Sequence, residues 1–112
     1  MNWRTLDSSD VLESALNDAQ SKVVVFFKHS TSCPVSAAAK RRLEMEWEKY
    51  NADQEVYYLD LLANRSLSNQ IAEKSGVTHQ SPQLIVLKNG EVVYHSSHLS
   101  ISAEKAAKYI QN

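Results

Sequence analysis

The chain predicts an α/β fold with a mixed central sheet and helices on both of its faces, and three observations carry that prediction. The first is the run Val23-Val24-Val25-Phe26-Phe27, whose continuous β-branched and aromatic residues describe a strand buried on both sides, as in a central parallel strand. The second is the alternation of helix-period and strand-period segments from Ser8 to Gly76. The third is Asn89-Gly90, set between two strand-like segments, which is the pair a tight I′ hairpin turn prefers.

Taken in order, Ser8 to Ala19 places Val11, Leu12, Ala15, Leu16 and Ala19 on one helical face, with Ser or Asp residues at its start able to cap the first turn. Lys22 to Lys28 is the central strand. Val35 to about Tyr50 combines strong helix formers with no Gly or Pro, and Asn51-Ala52-Asp53 is its stop. Glu55 to Leu61 follows as a second strand, and Ser66 to Ser75, closed by Gly76, as the next helix. Gln83 to Lys88 and Glu91 to Ser96 are the arms of the hairpin, and Ser102 to Ile110 is the last helix. An α/β first part joined to an antiparallel hairpin and a terminal helix requires a sheet of mixed direction.

The 112 residues are expected to form a single domain spanning 1–112, with no repeat, low-complexity tract or long linker to divide them. A formal net charge of -1 gives no general pull toward nucleic acid or anionic membrane, so neither is an expected partner. The longest apolar run, Val23 to Phe27, is too short to cross a bilayer, and Met1 to Asp7 lacks the apolar stretch of a signal peptide, so a cytoplasmic location is expected. With one cysteine no disulfide can form within the chain, and any sulfur chemistry must involve a second molecule.

That cysteine, Cys33, lies in His29-Ser30-Thr31-Ser32-Cys33-Pro34-Val35-Ser36, between the central strand and the long helix. Pro34 suits the first helical position, where its missing N–H costs nothing, and this makes Cys33 the predicted N-cap. Free amides of a first helical turn and the helix dipole favour thiolate over thiol there, so Pro34, Val35 and Ser36 are the predicted thiolate-stabilising residues. The amides of Val35 and Ser36, and the Ser36 hydroxyl, are the candidate donors to sulfur. A free cysteine is more often core filling, but the polar loop, the proline and the helix start favour a nucleophile here. Ser36 stands where a Cys-x-x-Cys motif would put its second sulfur, so a mixed disulfide on Cys33 would have to be resolved by an outside thiol. A first-turn serine bonded to backbone or water is an equally good account of Ser36.

Other candidates carry weaker signals. Pro82 opens a strand, where proline loses no ladder bond, and a trans peptide is its statistical default. His29, His79, His95 and His98 show no recognised zinc spacing with the single cysteine, no metal is expected, and a surface position is the commoner account of each. Lys40, Arg41 and Arg42 could attract an anionic thiol, but interleaving with Glu44, Glu46 and Glu48 suits a solvated helix face. Trp47, Tyr50, Tyr57 and Tyr58 are assigned to packing before recognition.

The order strand, Cys-Pro-x-Ser and helix, then x-Pro before a Lys-Asn-Gly hairpin and a terminal helix, resembles the thioredoxin-like fold over nearly the whole chain. More narrowly, Thr31-Ser32-Cys33-Pro34-Val35-Ser36-Ala37, Ser81-Pro82-Gln83-Leu84 and Ser97-His98 resemble the YtxJ-like family, the monothiol bacilliredoxins of bacillithiol-making Firmicutes. This resemblance implies a monothiol thiol–disulfide oxidoreductase that removes bacillithiol from protein mixed disulfides with Cys33 as attacking residue. It also implies a cis Pro82 beside Cys33, Ser32 and Ser81 in contact with substrate, and His98 near the sulfur. No cofactor would be bound; bacillithiol would be a co-substrate, bacillithiolated proteins the partners, and a monomer the working form. Two other readings remain: a monothiol glutaredoxin-like iron–sulfur carrier, against which Pro34 counts because such carriers usually have Gly after the cysteine, and a non-catalytic interaction module with this fold.

Overall fold

A computed structural model describes residues 1–111. In chain order it contains β1 (Asn2–Thr5), α1 (Ser9–Asp18), β2 (Val24–His29), α2 (Pro34–Asn51), β3 (Glu55–Asp60), α3 (Arg65–Ser75), β4 (Gln83–Lys88), β5 (Glu91–Ser97), a short 3-10 turn at His98–Ser100, and α4 (Ala103–Ile110). The strands form one sheet in the order β1-β3-β2-β4-β5. β3 runs parallel to both β1 and β2, whereas β4 is antiparallel to β2 and to β5. The mixed direction expected from the hairpin is therefore observed.

β2 occupies the middle of the sheet and all six of its residues are buried. Alternation along the strand divides the interior. Val24 and Phe26 pack with Leu12 and Ala15 of α1 and Leu67 and Ile71 of α3, while Val25 and Phe27 pack with Leu43 and Trp47 of α2 and Ala103 and Ala106 of α4. A side chain changed in β2 is therefore felt by one helix pair and not the other. The strand also runs one residue beyond its predicted end, because His29 still pairs with Asp60 of β3.

The caps match the predicted helix starts. The Ser8 hydroxyl accepts the Val11 N–H at 3.2 Å, and the Ser102 hydroxyl accepts the Lys105 N–H at 3.2 Å. α3 ends at Gly76, whose φ of 74° is left-handed and whose N–H bonds to the Ala72 carbonyl at 3.0 Å. In the hairpin Asn89 and Gly90 have φ of 54° and 78°, the pair of positive values that a I′ turn requires. The same turn docks on the end of α1 through Gly90 N–H to the Ala19 carbonyl at 2.8 Å. A Cβ at Gly90 would come within 2.7 Å of the Gln20 side chain, so close approach as well as φ requires glycine.

β1 has no counterpart in the sequence prediction. Asn2–Thr5 is a four-residue edge strand, exposed except at Trp3, and it exists through its parallel ladder with β3 and its contacts to α2. The Trp3 indole N–H donates to Glu44 at 2.9 Å and the terminal ammonium meets Glu48 at 2.6 Å, so α2 carboxylates hold the edge in place. Among the described residues, no helix is long and apolar enough to cross a membrane.

Candidate active site

The chain leaves β2 at His29, turns through Ser30 to Ser32, and enters α2 at Pro34. Cys33 is the N-cap: its backbone is extended, at φ -104° and ψ 117°, and its carbonyl accepts the Ala37 N–H at 3.0 Å. Pro34 takes the first helical position, as its fixed φ and missing N–H predict. The turn is closed by Cys33 N–H donating to the Ser30 carbonyl at 3.2 Å. Cys33 is a partly exposed residue and belongs to neither buried core cluster.

The predicted ring of donors around the sulfur is not formed. The Cys33 side chain accepts no capping bond, which leaves the amides of Val35 and Ser36 unused by it. A sulfur is a weak acceptor, and backbone geometry alone does not draw it onto those amides. The Ser36 hydroxyl has turned the other way: Ser36 is fully buried, and its Oγ accepts the Ser30 N–H at 3.0 Å and lies 2.6 Å from His29 Nδ1. Ser36 therefore braces the turn that carries Cys33, in place of the predicted contact with its sulfur. The reason is competition, since the Ser30 amide and the His29 ring are buried polar groups that would otherwise lack partners.

His29 departs from the surface position expected of the histidines. Only 6% exposed, it stacks on Phe27 at 6.0 Å and lies 5.6 Å from the Tyr58 ring. Burial, reinforced by the Lys40 charge, lowers its pKa below the ordinary histidine value, against the opposing pull of Asp60, Glu44 and the Ser36 bond. A neutral imidazole under the cysteine turn is the result. The signal available in the sequence was position alone: His29 continues a strand whose odd-numbered residues face α2. His79 is also half-buried, whereas His95 and His98 are exposed.

Lys40 keeps the expected exposed pairing with Glu44 and is also half-covered by two rings. Its ammonium sits 5.5 Å from the Trp3 ring centre and 5.7 Å from that of Tyr58, with Glu44 at 3.0 Å. Arg42, though exposed like Arg41, reaches the Ile101 carbonyl at 2.9 Å.

The second half of the site arrives through the sheet. Lys28 pairs with Gln83, so Pro82 stands level with His29 at the end of the sheet from which the cysteine turn departs. The Ser81-Pro82 peptide is cis. The Pro82 carbonyl accepts the His98 N–H at 3.1 Å, and the 3-10 turn packs against α2. His98 has a φ of 54°, a left-handed conformation that costs a non-glycine residue about 1 to 2 kcal/mol. Main chain, and not the imidazole, joins His98 to Pro82. The Ser81 hydroxyl is buried without a partner, and Ser32 is exposed with its Oγ 3.3 Å from that of Ser30.

Comparison with known proteins bears on this arrangement. Residues 4–106 match the family described as monothiol bacilliredoxin BrxC. The chain belongs to that family. A solved structure described provisionally as an oxidoreductase with a thioredoxin fold is 35% identical to this chain, covering 95% of it and 91% of the other with a TM-score of 0.82. Thioredoxin O2 from Arabidopsis thaliana is 22% identical over 96% of this chain and 92% of its own, with a TM-score of 0.74. A thioredoxin from Nicotiana alata is 19% identical over 98% of this chain and 90% of its own, with a TM-score of 0.72. These last two establish the thioredoxin-like fold alone. Family and fold together make this chain a member of a thiol-redox family, and its one cysteine stands at the start of α2.

Proposed function

We propose that this protein removes bacillithiol from protein mixed disulfides by two successive thiol–disulfide exchanges at Cys33. In the first, the Cys33 thiolate attacks the bacillithiol sulfur of a client disulfide. The client S–S bond breaks, a Cys33–bacillithiol disulfide forms, and the client leaves as a thiolate that takes a proton from solvent. In the second, a bacillithiol thiolate attacks the bacillithiol sulfur of that adduct, forming oxidised bacillithiol and releasing Cys33 as thiolate. The client is reduced, bacillithiol is oxidised, and the protein is unchanged over the cycle. Exchange of this kind depends on an accessible attacking sulfur and on a good leaving thiol.

One observation carries the reading: the one cysteine is a partly exposed residue at a helix start, while position 36, where an internal resolving thiol would stand, holds a sealed serine. The protein would act as a monomer in the cytoplasm, with the small thiol as co-substrate and no bound cofactor. Substrate contact is assigned to Ser32, Ser81, Pro82 and His98; the Lys28–Gln83 pairing and the bond from the His98 N–H to the Pro82 carbonyl support this assignment.

The test is to incubate the reduced protein with a client bearing one bacillithiol disulfide and to follow the adduct by intact mass on both chains. Transfer to Cys33, its absence in Cys33→Ala, and release on adding bacillithiol are expected. A client that keeps its adduct in the presence of the wild-type protein refutes the proposal.

A further inference from the structure

On the face of the sheet turned away from α2, the penultimate residue of β2 is a lysine with no solvent exposure. Among the described residues Lys28 has no carboxylate partner, and burial alone lowers its pKa from 10.5 to about 8. Its ammonium donates to the Ser68 carbonyl of α3 at 3.1 Å and meets His79 Nδ1 at 3.2 Å. The Ser68 hydroxyl meets the same nitrogen at 3.1 Å. Where the ammonium donates to Nδ1, that nitrogen carries no proton and the neutral imidazole holds its proton on Nε2. Burial, Lys28 and Arg65 all lower the His79 pKa, in keeping with that form.

The cluster joins three parts of the chain: β2, α3 and the segment 77–82 between α3 and β4. Gln83, opposite Lys28 in the ladder, adds a second tie through Nε2 to the Thr78 carbonyl at 3.1 Å. Segment 77–82 ends in Ser81-Pro82, to which the His98 turn is bonded. A buried ammonium with no opposite charge beside it costs stability even when hydrogen-bonded, and an apolar side chain of similar length would fill the space without that cost. Stability therefore does not favour lysine at this position, whereas holding the segment does.

We propose that Lys28 is a positioning residue which, with Ser68 and His79, forms an interior latch holding segment 77–82, and with it the Ser81-Pro82 edge, in place for docking a disulfide-bearing client. This role rests on the disulfide-exchange reading of Cys33. The latch contributes to client engagement and not to the reactivity of the sulfur, and that separates it from a merely structural part.

Three measurements on Lys28→Met and His79→Ala test it: adduct transfer from a client carrying a bacillithiol disulfide, alkylation of Cys33 by iodoacetamide, and amide hydrogen exchange across 77–82. In both variants transfer is expected to slow about tenfold, as small misplacements near reacting groups do, while alkylation keeps its wild-type rate and exchange in 77–82 accelerates. His79→Asn, which retains an oxygen able to accept from Lys28, is expected to restore most of the transfer rate. Wild-type transfer with unaltered exchange in a folded Lys28→Met or His79→Ala protein overturns the latch, as does an equal loss of transfer and alkylation. If the wild-type protein itself transfers nothing, the exchange reading of Cys33 fails, and unaltered exchange at 77–82 would separately refute the latch.

Discussion

Ser36 and His29 form a bonded pair beneath the cysteine, and the consequences of cutting that pair are energetic before they are chemical. Ser36→Ala leaves the Ser30 N–H and His29 Nδ1 buried without their partner. A loss of about 1 to 3 kcal/mol in unfolding free energy is expected, measured by urea denaturation, with adduct transfer to Cys33 retained because no step uses the hydroxyl. The titrating residues give signed expectations. His29 and His79 have folded pKa values below their unfolded value of 6.5, so the folded protein binds fewer protons on acidification. Their contribution is whole above pH 6.5 and is lost as pH falls below it; in His29→Asn the His29 part of that acid loss should vanish from the urea midpoints. Lys28 works in the alkaline range: between about 8 and 10.5 the unfolded chain holds the extra proton, so stability rises with pH across that window. Lys28→Met should lack the rise and be more stable at neutral pH by about 1 to 3 kcal/mol, read from the same denaturation curves.

At the scale of elements, the caps and the hairpin turn are local decisions that can be tested locally. Ser8→Ala removes the acceptor for the Val11 N–H and should cost about 1 kcal/mol, measured by urea denaturation. The helix that matters most for function begins with Pro34, and everything needed to place Cys33 at its start lies within four residues of sequence. What Ser36 bonds to could not be read in the same way. Its partners are Ser30 and His29, and their burial follows from the packing of β2 between helices. The surface reading of His29 failed for this reason: a histidine at the end of a central strand takes its environment from neighbours such as Phe27 and Tyr58, not from its own polarity. Lys40 pairs with Glu44 as its spacing predicts, and the rings it also covers could not be read locally, since they belong to β1 and β3.

For the whole molecule, the sheet order predicts a hierarchy of opening. β2 is paired on both sides by β3 and β4 and is buried throughout, whereas β1 is a short exposed edge. Amide exchange should be slowest in β2 and β4 and fastest in β1 among the strands, measured by mass spectrometry on the intact chain. Slow exchange in β1 equal to that of β2 would contradict this account of the edge. The arrangement also explains why residues distant in sequence share one end of the fold: β4 runs antiparallel to β2, so the start of one lies beside the end of the other.

The α/β class, the buried central strand, the helix caps, the I′ hairpin and the place of Cys33 at a helix start are legible in the order of residues. Each of these follows from the periodicity or local chemistry of neighbouring residues. Packing between distant segments sets the rest: β1 pairs at the edge, Ser36 turns inward to His29, Lys28 is tied to α3 and His79, and Pro82 joins the His98 turn. Those outcomes depend on which polar groups are left without water when distant segments pack, and a buried donor or acceptor takes the partner the fold brings to it.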